Sequence, residues 1–136
     1  MANAIYPNYK EALLGGAANI SLTSGDVKAI LVDLADYTYA ATHEFLSDVP
    51  AGARVATSGN LTGKTVTDGN FDSDAVTWTA ANGDECEAII LFIDTGVEAT
   101  SRLVYIVDTG QTNLPVTPNG GDITYTPDDP GGWFTI

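Results

Sequence analysis

Basic side chains are scarce in this sequence: 5 lysines and arginines stand against 18 aspartates and glutamates, a formal net charge of −13 in 136 residues. From residue 65 onward Arg102 is the only basic residue, against twelve carboxylates. A surface that tracks nucleic acid needs clustered lysine and arginine to neutralise phosphates, and an anionic membrane surface attracts the same residues. The composition therefore predicts neither a nucleic-acid partner nor a membrane partner.

Cysteine and histidine each occur once, as Cys86 and His43. A single cysteine excludes an intramolecular disulfide and a cysteine-based zinc cluster. We interpret Cys86 as a small core or strand-edge residue, because no basic neighbour in sequence lowers the pKa of its thiol. A Ser-His-Asp arrangement around His43 stays open, but the chain has no Gly-x-Ser-x-Gly elbow, which favours a capping or packing histidine. The sequence therefore predicts no enzyme, no catalytic residue and no cofactor.

Long apolar runs are also missing. No stretch approaches the roughly 18 apolar residues of a membrane span. The first residues lack the charged and apolar regions of a signal peptide, so we expect synthesis in a cytoplasm.

The length is typical of one domain, 1–136, and 44% apolar content is typical of a folded chain.

What the chain does contain is short apolar runs, at 28–33, 88–93 and 103–107. Continuous apolar runs predict strands that are covered on both faces, because a half-exposed strand alternates with period 2. A polar turn between the last two runs predicts a hairpin. Shorter strands separated by turn signals are predicted at 54–57, 64–66, 75–79 and 123–126. The predicted fold is all-β, mainly an antiparallel sandwich or barrel.

Three further segments complete this prediction. Pro7 at the start and Gly15-Gly16 at the end predict one short N-terminal helix over 7–15. Residues 18–23 and 27–33 predict a second hairpin. Prolines and glycines are frequent from residue 114, so 114–136 is predicted to be a loop-rich, extended C-terminal arm with an apolar anchor at 133–136.

Two Asp-Thr-Gly triplets, at 94–96 and 108–110, resemble the loops that place two carboxylates together in aspartic proteases. If the preceding strands form a hairpin, Asp94 and Asp108 lie at its opposite ends, roughly 17 Å apart. Such carboxylates cannot share a proton. Turn formation is therefore the favoured interpretation, and a single-copy site completed by homodimerisation stays open.

Residues 68–74 place oxygen-bearing side chains at every second position: Asp68, Asn70, Asp72 and Asp74. A calcium loop of the EF-hand kind would then need glycine at its sixth position and glutamate at its twelfth. This chain has Ser73 and Thr79 there. A solvated polar turn is favoured and no metal ligand is assigned, although a weak surface calcium site stays open.

The apolar runs offer more surface than one two-turn helix can cover. We therefore expect a homo-oligomer or a docking surface for a partner. The candidate contact residues are aromatic or apolar and lie near the two ends of the chain: Tyr6, Tyr9, Trp133, Phe134 and Ile136.

Four stretches resemble a small family of virion proteins of tailed bacteriophages: 2–14 (ANAIYPNYKEALL), 30–56 (ILVDLADYTYAATHEFLSDVPAGARVA), 98–110 (EATSRLVYIVDTG) and 114–123 (LPVTPNGGDI). The resemblance implies a virion component, and among these we favour a capsid decoration (cement) protein on the outer capsid surface. Its partner would be the major capsid protein, and it would form a homo-oligomer, with a trimer favoured. Deleting 127–136 is then expected to abolish docking or oligomerisation and leave the fold intact.

Two alternatives remain open. A tail or neck component would assemble into rings or tubes. A host-facing glycan-binding module or esterase-like enzyme would present a concave aromatic patch, with Tyr37, Tyr39 and Trp78 as candidates. These aromatic residues are otherwise expected in the core.

Overall fold

The computed structural model describes residues 3–108, 114–127 and 132–136. Within these ranges ten strands form three antiparallel sheets, accompanied by a single α-helix, so the predicted all-β class with one short helix is confirmed. The strands are β1 (Ala4–Ile5), β2 (Asp26–Val32), β3 (Arg54–Thr57), β4 (Thr65–Thr67), β5 (Asn70–Asp72), β6 (Val76–Trp78), β7 (Ala88–Asp94), β8 (Arg102–Val107), β9 (Ile123–Tyr125) and β10 (Phe134–Thr135), and the helix is α1 (Pro7–Gly15). None of the helical segments in the described ranges has the length and apolar character needed to cross a membrane.

The largest sheet has the order β1-β8-β7-β2-β3. Its centre is β7, which pairs with β2 from Asp26↔Asp94 to Val32↔Ala88. On its other side β7 forms the predicted hairpin with β8. All side chains of β7 except that of Asp94 are buried, which confirms a strand that is covered on both faces.

Two smaller sheets, β10-β5-β4 and β6-β9, pack against the large sheet and give a sandwich-like arrangement. Phe134 of β10 lies against Tyr105 of β8, with ring centroids 4.9 Å apart. Trp78 of β6 donates from Nε1 to the carbonyl oxygen of Ala29 in β2 at 3.1 Å. The chain's own strands therefore supply much of the cover that the sequence analysis assigned to a partner.

Helix α1 follows its sequence signals. Pro7 occupies the first turn, where a missing N–H costs nothing. Gly16 ends the helix in the left-handed conformation, at φ 67°, which glycine adopts without strain. One face buries Tyr9 and Ala12, while Leu14 is 90% exposed on another.

The predicted hairpin over 18–33 is wrong in its first half. Residues 18–25 form turns, in which the N–H of Gly25 donates to the carbonyl of Ser21, and the N–H of Ser24 donates to the Ser21 hydroxyl. Such local bonds compete with a strand ladder. Strand β2 pairs with β3 and β7 instead.

The loop-rich C-terminal arm lies along the domain wherever the structure describes it. Strand β9 pairs with β6, and β10 pairs with β5 through Phe134↔Phe71 and Thr135↔Asn70. Strand β5 lies where the sequence analysis favoured a polar turn. It forms because Phe71 is buried, 1% exposed, beneath the arm.

Candidate functional site

The two Asp-Thr-Gly aspartates do not meet. Asp94 ends β7, and Asp108 follows β8 beyond the other end of the same hairpin. The Asp94 carboxylate accepts from Lys28 Nζ at 2.8 Å and from the Gly96 N–H at 2.9 Å. These contacts hold the pKa of the Asp94 carboxyl below its usual value. Asp94 therefore stabilises a turn, as predicted, while residues 109–110 of the second triplet lie outside the described residues.

The oxygen-bearing side chains of 68–74 do not converge on one point. Asp72 accepts from the Ser73 N–H at 2.7 Å, and Asp74 accepts from the Thr62 hydroxyl at 3.3 Å. In the described part of the chain, the one trio of carboxylates close enough to share an ion is Asp33, Asp36 and Asp84. The geometry gives the calcium alternative no support.

His43 belongs to a tyrosine network. Its Nδ1 lies 2.8 Å from the Tyr37 hydroxyl, which lies 2.9 Å from the Tyr6 hydroxyl. A catalytic triad would place a carboxylate at this nitrogen, so the packing interpretation fits the structure. Tyr37 and Trp78 are 3% and 2% exposed, and Tyr39 packs on the Tyr6 ring. Tyr37 and Trp78 are therefore core residues, whereas Tyr39 is half-buried at the edge of the core.

Cys86 is buried two residues before β7, near the end of β2 that leads into Asp33. Its backbone forms a bridge with Val116, through N–H to carbonyl bonds of 2.7 and 2.9 Å. Burial, together with the carboxylates of Glu87, Asp33 and Asp84, raises the pKa of the Cys86 thiol to about 12. The thiol is therefore a structural group and not a nucleophile.

We expect this thiol to stay unmodified by Ellman's reagent at pH 8 while the protein is folded. With a pKa of about 12, on the order of one thiol in ten thousand is ionised at that pH. In guanidinium chloride the same cysteine should react readily, because an unfolded thiol has a pKa of about 8.5. The time course of modification, with and without denaturant, measures this difference. Rapid stoichiometric reaction of the native protein would show that Cys86 is accessible and activated.

Four of the five predicted contact residues are core residues, which corrects that part of the prediction. Tyr6, Tyr9, Trp133 and Phe134 are 0%, 1%, 4% and 6% exposed, whereas Ile136 is 59% exposed. Their polar atoms have internal partners: Tyr9 donates to the Ile20 carbonyl at 2.8 Å, and Trp133 donates to the Ser73 hydroxyl at 2.8 Å. Buried aromatic side chains of this kind anchor a core, because ring and polar tip are both satisfied inside it.

The structure nevertheless brings three of the five together in one depression. This apolar groove has a volume of about 290 Å³ and lies between α1, the turns at 20–23 and the β10-β5-β4 sheet. Its lining residues are Tyr9, Leu13, Ile20, Ser21, Leu22, Thr23, Val66, Gly69, Phe71, Phe134 and Ile136. Tyr6 and Trp133 lie outside it.

Two lining residues keep large apolar areas exposed. Val66, in the middle of the edge strand β4, is 54% exposed, and Ile136 is 59% exposed. All three residues of β4 are exposed, and none is charged. An uncharged, exposed edge strand is one that a partner can cover, because natural proteins usually protect such edges with charge. Sequence reasoning missed Val66, since an alternating Thr-Val-Thr strand is ordinary.

The molecule that carries the apolar groove is strongly acidic, with a net charge of −13, and most of its few basic side chains have partners within the chain. Lys28 pairs with Asp94, Arg54 with Glu98 at 2.9 Å and Arg102 with Glu44 at 3.3 Å, and the Lys64 ammonium donates to the Gly25 carbonyl. In the part of the chain described, Lys10 is the one basic side chain without such a contact. A partner surface with basic side chains is therefore electrostatically favoured.

The apolar groove offers contact area rather than chemistry. Its walls are mostly apolar, and the carboxylates nearby, such as exposed Asp68 at the β4–β5 turn, lie outside its lining. Such a surface suits the docking of another protein. No protein-family model matches this sequence, and no curated protein sequence matches it either.

Proposed function

We propose that this protein is a phage capsid decoration protein, which binds the outer surface of the head and stabilises the shell. Its partner is the major capsid protein, and it acts as a homo-oligomer, with a trimer favoured. The resemblance of four stretches to phage virion proteins motivates the proposal. The observation that carries it is the apolar groove, whose rim exposes Val66 and Ile136 on a strongly acidic molecule.

The groove would act as the adhesive face. An apolar side chain of the shell would enter between α1 and β5, and its neighbours would cover the exposed parts of Val66 and Ile136. Covering the exposed half of each of these two side chains contributes roughly 1–3 kcal/mol to the free energy of binding. Basic residues of the shell would face Asp68 and the exposed Glu11 of α1. Each contact is modest, so stable attachment needs several copies acting together.

The test is co-sedimentation with isolated phage heads that lack this protein, with tails as the control particle. We expect saturable binding to heads, at a stoichiometry near the number of threefold sites. Val66→Asp and Ile136→Asp should each weaken binding by at least about tenfold, because a carboxylate would enter a desolvated contact. Leu14→Asp is the matched control: Leu14 is 90% exposed on α1 but does not line the groove. It should bind as the parent protein does.

Other results would redirect the proposal. Binding to tails alone would make the protein a tail or neck component. Binding to neither particle would overturn the virion assignment. Equal loss with Leu14→Asp and Val66→Asp would retain head binding but remove the apolar groove as the contact. Light scattering on the free protein tests the trimer, and a monomer at micromolar concentration would contradict it.

A further inference from the structure

Two different sheets end at one second groove. Strand β1 is an edge of the five-stranded sheet, and β10 is an edge of the three-stranded sheet. Both line a depression of about 520 Å³, called here the strand groove. Ile5, Lys10, Phe134 and Thr135 are among the residues that line it. Its walls are shared with the apolar groove only at Phe134.

The backbone of β1 presents hydrogen-bonding groups to the strand groove. Tyr6 donates from its N–H to the Val104 carbonyl at 2.9 Å, while Ile5 lies opposite Tyr105. Bonded and non-bonded pairs alternate along an antiparallel ladder. Ile5 is therefore in a non-bonded pair, and its N–H and C=O point away from β8, toward the open edge.

The same alternation applies to β10. Ile136 donates from its N–H to the Gly69 carbonyl at 2.9 Å, and the next pair along the ladder is Thr135 with Asn70. Thr135 and Asn70 therefore form a non-bonded pair, and the N–H and C=O of Thr135 are directed away from β5. Ile5 and Thr135 both line the strand groove and both direct a donor and an acceptor outward from their sheets.

One charged side chain lines the strand groove, that of Lys10, and it is basic although the net charge of the chain is −13. Lys10, exposed on α1, lines it and is the basic side chain without an ion pair or carbonyl contact in the described ranges. An incoming segment with a carboxylate near Lys10 would gain a charge-assisted contact there. Elsewhere the excess of carboxylates would repel it.

We propose that the strand groove accepts an extended segment of another protein, which adds as a strand between β1 and β10 and directs an acidic side chain to Lys10. Unpaired edges are templates for this mode of recognition: backbone bonds give affinity, and alternate side chains give specificity. The segment would pair with Ile5 on one side and Thr135 on the other, and so connect the two sheets. This inference does not depend on the proposed function.

The first experiment uses a synthetic capped hexapeptide of alternating valine and threonine with one central glutamate, titrated into the full-length protein. The matched peptide has lysine in place of glutamate. We expect the glutamate peptide to bind at least tenfold more tightly and to slow amide hydrogen exchange at Ile5 and Thr135. No binding, or equal binding of the two peptides, would overturn the proposal.

Variants separate backbone pairing from side-chain contact. Thr135→Pro removes the outward N–H, while Thr135→Ala keeps it. Both variants lose the hydrogen bond that Asn70 Nδ2 donates to the Thr135 hydroxyl, so they differ in the backbone donor. We expect the proline variant to lose peptide binding and the alanine variant to retain it, with both melting near the parent temperature. Lys10→Glu should reverse the preference between the two peptides. If the parent protein instead self-associates and Thr135→Pro abolishes that association, a second copy is the occupant and the hetero-partner is excluded.

Discussion

Replacing Trp133 by alanine is expected to lower the free energy of unfolding by about 3–5 kcal/mol. The indole is 4% exposed, and its ring stacks on Tyr125 with centroids 5.3 Å apart. Its Nε1 donates to the Ser73 hydroxyl at 2.8 Å. Alanine would leave a cavity between the C-terminal stretch and the core, and would remove the donor from a buried hydroxyl. Urea denaturation of the parent and variant proteins measures the difference.

The matched control is Ile136→Ala, three residues along the same strand end. Ile136 is 59% exposed, so this change should lower the free energy of unfolding by less than about 1 kcal/mol. The expected effect of deleting 127–136 also changes. The deletion removes Trp133 and Phe134 from the core, so it should destabilise the fold rather than leave it intact. A Trp133→Ala protein as stable as Ile136→Ala would return Trp133 to the partner-facing role that the sequence suggested.

Raising the pH from 10 to 12 is expected to cost the folded state several kcal/mol of stability. Burial raises the pKa of Tyr9 and of Tyr37 to about 12, and burial beside Tyr37 raises the pKa of Tyr6 as well. An unfolded tyrosine has a pKa of about 10. The folded state therefore holds these protons more tightly than the unfolded state. The contribution of the protonated tyrosines to the free energy of unfolding is complete below pH 10 and is lost as the pH rises toward 12. Each such tyrosine contributes a slope of about 1.4 kcal/mol per pH unit.

Thermal melts between pH 8 and pH 12, followed together with tyrosinate absorbance, test this expectation. The melting temperature should fall steeply above pH 10, and tyrosinate should form together with unfolding. Tyr37→Phe is the informative variant, since it removes one titrating group and should make the fall shallower. That variant starts from a stability lower by about 1–3 kcal/mol, because Tyr6 and His43 lose their shared partner. Ionisation of all tyrosines near pH 10 without unfolding would show that Tyr6, Tyr9 and Tyr37 are accessible to solvent.

The two docking proposals concern different surfaces and fail separately. Head binding depends on Val66 and Ile136, which are side-chain contacts at the apolar groove. Strand addition depends on the backbone of Ile5 and Thr135 and on the charge of Lys10. A protein that binds heads but no acidic strand, or the reverse, would assign one surface and leave the other without a role.

The sequence by itself determined the parts of this protein that local chemistry controls. The apolar runs of β2, β7 and β8 could only be strands that are covered on both faces, and the polar turn between the last two made them a hairpin. Pro7 and Gly16 bounded the one α-helix of the described chain because each suits one end of a helix and not its middle. The separation of Asp94 from Asp108 followed from the hairpin alone.

Only the tertiary structure decided what covers those strands and where the open surfaces lie. The Asn-Phe-Asp segment of β5 reads locally as a turn, yet it is a strand because Phe134 arrives from the far end of the chain to cover Phe71. That long-range pairing turns Trp133 and Phe134 from candidate anchors into core residues. It also brings Ile136 and Val66 to the lining of one groove, and brings β10, an edge strand, to the groove that the edge strand β1 lines. Burial of aromatic rings between distant segments sets these positions, and no local pattern encodes which distant segment will supply the partner.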